Sequence, residues 1–128
     1  MREILFRGKC TDNSKWVEGS LFIADKLPFQ KTAPVQICTG DNIEWTTYDV
    51  IPESVGQYTG CLDKEGTKVF EGDIVWDNEN EQLGVVGFDE GEFYVSFDGN
   101  IESGFADVIN CCYIQGNIHD DAKMLSLW

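Results

Sequence analysis

The sequence predicts a mainly β fold, arranged as a sandwich or a small barrel with little helix. Three observations carry that prediction. Short apolar runs recur between clusters of turn residues, as in chains built from many short strands. Within several runs apolar and polar residues alternate, which sorts side chains onto the two faces of a strand. Few stretches show the 3.6-residue period of a helix, while glycine is frequent at turns, with 13 in 128 residues. About eight to ten strands are expected, in one domain over residues 1–128.

Glu3–Arg7 reads as the first strand, with Ile4 and Phe6 on one face. Thr11-Asp12-Asn13-Ser14 has turn chemistry. Lys15–Ile23 reads as the second strand, with Trp16 as a core anchor. Asp25–Ala33, which contains Pro28, reads as a loop and the best candidate for a mobile segment. Val35–Thr39 and Ile43–Ile51 flank Gly40-Asp41-Asn42 and form a hairpin; Val55–Thr59 is a further strand. Asp63-Lys64-Glu65-Gly66 closes a tight turn in which Gly66 takes a positive φ at no steric cost.

Glu71-Gly72-Asp73 turns the chain into Ile74-Val75-Trp76. Leu83–Phe88 and Glu92–Phe97 surround Asp89-Glu90-Gly91 as a second hairpin, with Phe93, Val95 and Phe97 pointing inward. Asp98-Gly99 fits a type I′ turn. Val108–Ile118 reads as a long final strand. Only Asp120–Leu127 looks helical, with Asp120 or Asp121 as its cap.

Charge is unevenly spread. The net charge is −14. Residues 1–31 hold six basic and four acidic side chains, whereas residues 32–128 hold three and nineteen. From Val69 to Ala122 there is no lysine or arginine among 13 acids. Such a field repels phosphate, so broad nucleic-acid binding is not expected. It suits a basic protein partner instead, although acidic surface also serves plain solubility. Asp77, Glu79 and Glu81 are the candidate acidic site. If that segment is extended, the three carboxylates share one face at ~6.7 Å spacing. The alternative is a nucleic-acid contact through Arg2, Arg7, Lys9 and Lys15, where Phe6 and Trp16 interleave with the basic residues.

The remaining chemistry is sparse. Five cysteines form no C-x-x-C pair, and a reduced, cytoplasmic compartment is the expected setting. The chain starts without an apolar leader, and no apolar run approaches the ~20 residues of a membrane span. Asp77–Phe88 begins like a calcium loop but has Gln82 where glycine is needed and Phe88 where glutamate is needed. Metal-ligand, phosphate-loop and serine-hydrolase motifs are missing. No catalytic residue, cofactor or metal site is therefore expected. An open sheet edge needs charge or a partner chain, which makes self-association an expectation.

One segment is not generic. Gln57-Tyr58-Thr59-Gly60-Cys61-Leu62-Asp63-Lys64-Glu65-Gly66-Thr67-Lys68-Val69-Phe70-Glu71-Gly72-Asp73-Ile74-Val75 resembles the signature of the YopX family of phage and prophage proteins, Q-Y-T-G-L-x-D-K-x-G-x-x-I-Y-E-G-D-I-V. Met1–Lys9 resembles that family's R-E-I-K-F-R-G-K start, and Lys15–Gly19 its W-V-x-G continuation. Ile114-Gln115-Gly116-Asn117-Ile118 resembles its closing I-G-N-I, with Gln115 falling before the glycine. Cys61 and Ala122 depart from the pattern, and Leu83–Val108 matches none of it. The resemblance implies an SH3-like barrel or roll with additional strands, a homo-oligomer, and no known enzymatic activity or cofactor. It carries over no site residues. It points to a cytoplasmic protein of the bacterial host with an unknown protein partner.

Overall fold

A computed structural model describes residues 3–25, 28–29, 34–40 and 43–127. It shows a mainly β chain with two antiparallel sheets and one short α-helix. Among the described residues neither sheet closes into a barrel; the hydrogen-bonded orders run from edge to edge as β4-β3-β2-β1-β5-β6 and β10-β9-β8-β7-β11. The barrel expectation is corrected accordingly. Two compact units are present, residues 1–57 and 58–128.

In the first unit β1 (Phe6–Lys9), β2 (Trp16–Ile23), β3 (Val35–Gly40) and β4 (Trp45–Asp49) form an antiparallel meander. The first strand begins three residues later than the sequence suggests, and Ile4 is exposed. The Thr11–Ser14 turn is present: Ser14 N–H donates to the Cys10 carbonyl at 3.2 Å, and Lys15 N–H to Asn13 Oδ1 at 2.9 Å. Most of the 25–33 loop, and Asp41 and Asn42 of the expected hairpin turn, lie outside the described residues. Cys10, Ile37 and Val50 are the buried apolar residues of this unit. Trp16 is only half-buried, so it is not the core anchor expected.

A short 3-10 turn over Pro52–Ser54 precedes β5 (Gly56–Leu62), whose first residues pair with β1. In the second unit the rest of β5 pairs with β6 (Lys68–Phe70). The turn between them is the one expected, with Gly66 at φ 83. The five-stranded sheet follows from β7 (Asp73–Asp77), β8 (Gln82–Asp89), β9 (Glu92–Phe97), β10 (Asn100–Ile101) and β11 (Cys112–Asn117). Both hairpin turns have the paired positive φ of type I′, at Glu90-Gly91 (50, 79) and Asp98-Gly99 (51, 83). Val75, Val86, Val95, Phe97, Ile109 and Cys112 lead the core, and Phe93 is half-buried beside them.

The largest departure from the sequence reading is α1 (Phe105–Ile109), which occupies the start of the expected final strand. Phe105, Val108 and Ile109 fall at i, i+3 and i+4, one face of a helical turn, and all three pack on the core. Gly104, at φ 77, turns the chain into the helix. The tail is a 3-10 segment over Ala122–Leu127. No helix among the described residues is long and apolar enough to cross a membrane.

Candidate functional site

Asp77, Glu79 and Glu81 do not form the extended acidic face expected of them. The run turns the chain from β7 to β8, closing on the Asp77–Gln82 pair. Asp77 is buried, and its carboxylate is consumed by the turn. Oδ1 accepts the N–H of Glu79 at 3.1 Å and of Asn80 at 3.4 Å; Oδ2 accepts the side-chain amides of Asn80 at 2.8 Å and Gln82 at 3.2 Å. An aspartate among asparagines prefers such local bonds to extended pairing. Glu79 and Glu81 remain exposed, Glu81 with φ 51.

The basic candidates divide as well. Arg7 and Lys9 stand on one face of β1, with Glu18 directly across from Arg7 and Trp16 across from Lys9. The Arg7 guanidinium lies 5.0 Å from the centre of the Trp16 ring, a cation–π distance. Lys15 sits apart in the turn before β2, and Arg2 lies outside the described residues. A small basic and aromatic patch exists, partly offset by Glu18.

The feature that sequence reading missed lies at the far end of the second sheet. A cavity of about 730 Å³ opens between β9, β10 and α1, walled by Phe93, Tyr94, Ile101 and Phe105, with the exposed Glu92 and Glu102 beside them. A second cavity of about 350 Å³ shares Glu92, Tyr94 and Ile101 and adds Asp89 and Glu90. The Phe93 ring is fixed between Phe88, 4.9 Å away edge-on, and Phe105, 6.2 Å away. Tyr94 lies against its cross-strand partner Gly87. A Cβ at Gly87 would stand 2.4 Å from the tyrosine ring, so only glycine admits this placement. The alternation of Glu92, Tyr94 and Ser96 was the available signal; the contribution of Ile101 and of α1 was not local.

Among the described residues no group of three histidine, cysteine, aspartate or glutamate side chains gathers as a metal site. The other buried carboxylates of this unit serve the backbone. Asp63 Oδ1 accepts the N–H of Glu65 and of Thr67, both at 2.9 Å, and Oδ2 that of Ile114 at 3.1 Å. Asp73 accepts the N–H of Phe70 at 2.8 Å. Both lie in the Gln57–Val75 segment that resembles the family signature, and the turns explain them.

Residues 5–126 match the family model described as YopX protein. The chain belongs to the YopX family. Among solved structures it is similar to protein EF1440 from Enterococcus faecalis, at 17% identity and a TM-score of 0.61 over 98% of this chain and 99% of that one. That likeness is one of fold. The comparison with curated proteins gave no match. One irregularity interrupts the last strand, where the β11–β7 register slips at Gln115: Ile114 faces Val75 and Gly116 faces Ile74. Gln115 is accommodated as an exposed β-bulge, so the strands on either side of it keep their pairing.

Proposed function

We propose that this YopX-family chain is a non-catalytic protein-binding module of phage or prophage origin, self-associating and docking a basic surface on its partner. The supporting observation is the division of charge between the two units. Residues 58–128 hold fifteen acids and three lysines, whereas residues 1–57 hold eight acids and six basic residues. Two of those three lysines, Lys64 and Lys68, lie over the Tyr113 and Tyr58 rings at 5.6 and 5.5 Å. From Val69 to Ala122 the sequence places 13 acids and no lysine or arginine, and a cationic partner is steered toward such a stretch.

Self-association draws support from the first unit. Seven of the eleven exposed large apolar residues found among the described residues lie there, Phe22, Ile43 and Trp45 included. Its outermost strand β4 is a sheet edge carrying Trp45, 64% exposed. Light scattering after size exclusion is expected to give a multiple of 14.4 kDa; a clean monomer at high concentration removes this part of the proposal.

The second reading, a nucleic-acid contact, is favoured by one observation, the Arg7–Trp16 stack with Lys9 on the same face. One pair of titrations at low salt separates the readings. A lysine-rich peptide is expected to bind with steep salt dependence, and a single-stranded oligonucleotide is not. Oligonucleotide binding that collapses in an Arg7→Ala, Lys9→Ala double variant, with no peptide binding, would reverse the order.

A further inference from the structure

We propose that the groove between β9, β10 and α1 receives an arginine-bearing segment of a partner protein. This rests on the docking reading above and gives it a place and a chemistry. The two adjoining cavities form one surface about the shared Glu92, Tyr94 and Ile101. Its apolar component is open: Ile101 is 64% exposed at the end of the sheet. Its charged component is of one sign, since Asp89, Glu90, Glu92 and Glu102 fall in the stretch from Val69 to Ala122 that holds no lysine or arginine. An apolar surface edged only by carboxylates is complementary to a side chain that is apolar along its stem and cationic at its head.

Arginine fits better than lysine. Its guanidinium is flat, stacks on a tyrosine face and presents a fork of donors to carboxylates at the same time. The Tyr94 ring rests against Gly87 and would supply that face. Glu92, two residues from Tyr94 on the same face of β9, supplies a carboxylate. Ile101 and Glu102 also line the groove, and the arginine stem would run along Ile101. The walls are preformed, with both hairpins closed by tight turns and Phe93 packed between Phe88 and Phe105, so little ordering cost is left for binding. A metal ion is a poorer occupant, because no three of these carboxylates converge. Phosphate is repelled. The groove also lies within Leu83–Val108, the stretch free of the recognised family motifs, so its ligand need not be shared across the family.

The test uses the full chain and three fluorescein-labelled peptides, Gly-Arg-Gly-Arg-Gly and its lysine and glutamine counterparts, titrated by anisotropy at low salt. The arginine peptide is expected to bind best, the lysine peptide less well and the glutamine peptide not at all. Glu92→Gln with Glu102→Gln, both at exposed positions, is expected to weaken arginine-peptide binding about five-fold, as two surface ion pairs would. Tyr94→Leu is expected to reduce the preference for arginine over lysine about three-fold. Amide shifts in a labelled sample are expected at Tyr94, Ile101 and Glu102. If the arginine peptide binds the wild type and the carboxylate variant equally, and the shifts fall elsewhere, the groove is overturned while the docking reading survives. If neither the arginine nor the lysine peptide binds, both are overturned.

Discussion

The Asp63 carboxylate accepts the backbone N–H of Ile114, 51 positions further along the chain, at 3.1 Å. Through its other oxygen the same group closes its own turn onto Glu65 and Thr67. A single side chain thus ties the signature turn to the last strand. Asp63 is 7% exposed, so its removal strands donors that water reaches poorly. Asp63→Ala is expected to cost about 2–4 kcal/mol. In urea the midpoint should fall with an unchanged slope, and Asp63→Asn, which keeps one acceptor oxygen, should lose less. An alanine variant with the wild-type midpoint would show that the connection contributes nothing.

Asp77 makes stability depend on acid. Burial pushes its carboxyl up, but the bonds from the Asn80 and Gln82 side chains and from the Asn80 and Glu79 N–H groups outweigh this and hold it below the ordinary 3.8. A carboxylate depressed in the folded state stabilises the fold above its unfolded value, and that contribution drains away as pH falls through the folded value. At neutral pH Asp77→Asn should therefore be less stable than wild type by about 1–2 kcal/mol. Below about pH 4 the gap should narrow, because the wild-type group becomes protonated too. Urea melts at neutral pH and in the acid range would show it. A gap of constant size would mean that the turn relies on shape and not on charge.

What could be read from the sequence follows from how local each interaction is. The hairpin at Glu90-Gly91 and the type I′ turn at Asp98-Gly99 were legible because these pairs set their own backbone conformation. The Glu71-Gly72-Asp73 turn was legible for the same reason, and Asp73 closes it with a short-range bond to Phe70. The α1 helix was hidden because five residues cannot hold a helix alone; packing of Phe105, Val108 and Ile109 on the core decides it. The acidic run misled for a related reason. Period-two spacing of Asp77, Glu79 and Glu81 suggests one face, yet the asparagines between them favour a turn. The groove was out of reach because Tyr94 owes its position to Gly87 across the sheet, and Ile101 and Phe105 arrive only when the next hairpin closes.

The paired cysteines should differ sharply in reactivity. Cys112 is fully buried, and its Sγ donates to the Val108 carbonyl at 3.3 Å. Burial, reinforced by the negative charge of Asp77, Cys111 and Glu102, pushes its thiol up to about 12. Cys111 is exposed just before the strand. Alkylation proceeds through the thiolate and needs access. Iodoacetamide at mildly alkaline pH is expected to label Cys111 and to spare Cys112 in the folded chain, with both labelled in urea. Peptide mass spectrometry reads the ratio directly; equal labelling under native conditions would contradict the burial of Cys112.

Self-repulsion in the second unit makes a prediction about salt. Fifteen acids against three lysines crowd residues 58–128, and unfolding lets those charges move apart. Raising ionic strength from about 0.01 to 0.1 M shortens the screening length from roughly 30 to 10 Å, which relieves the folded state more than the unfolded one. A gain of about 1 kcal/mol corresponds to a rise in Tm of roughly 4 °C for a chain of this size. Glu79 and Glu81 offer the control, since both are exposed and side-chain hydrogen bonds of the turn run through Asp77 instead. Glu79→Gln with Glu81→Gln should raise the low-salt Tm and shrink the rise that salt produces. A wild-type Tm that stays flat or falls over this range would mean that the carboxylates are already balanced within the fold, and the electrostatic basis for docking a cationic partner would go with it.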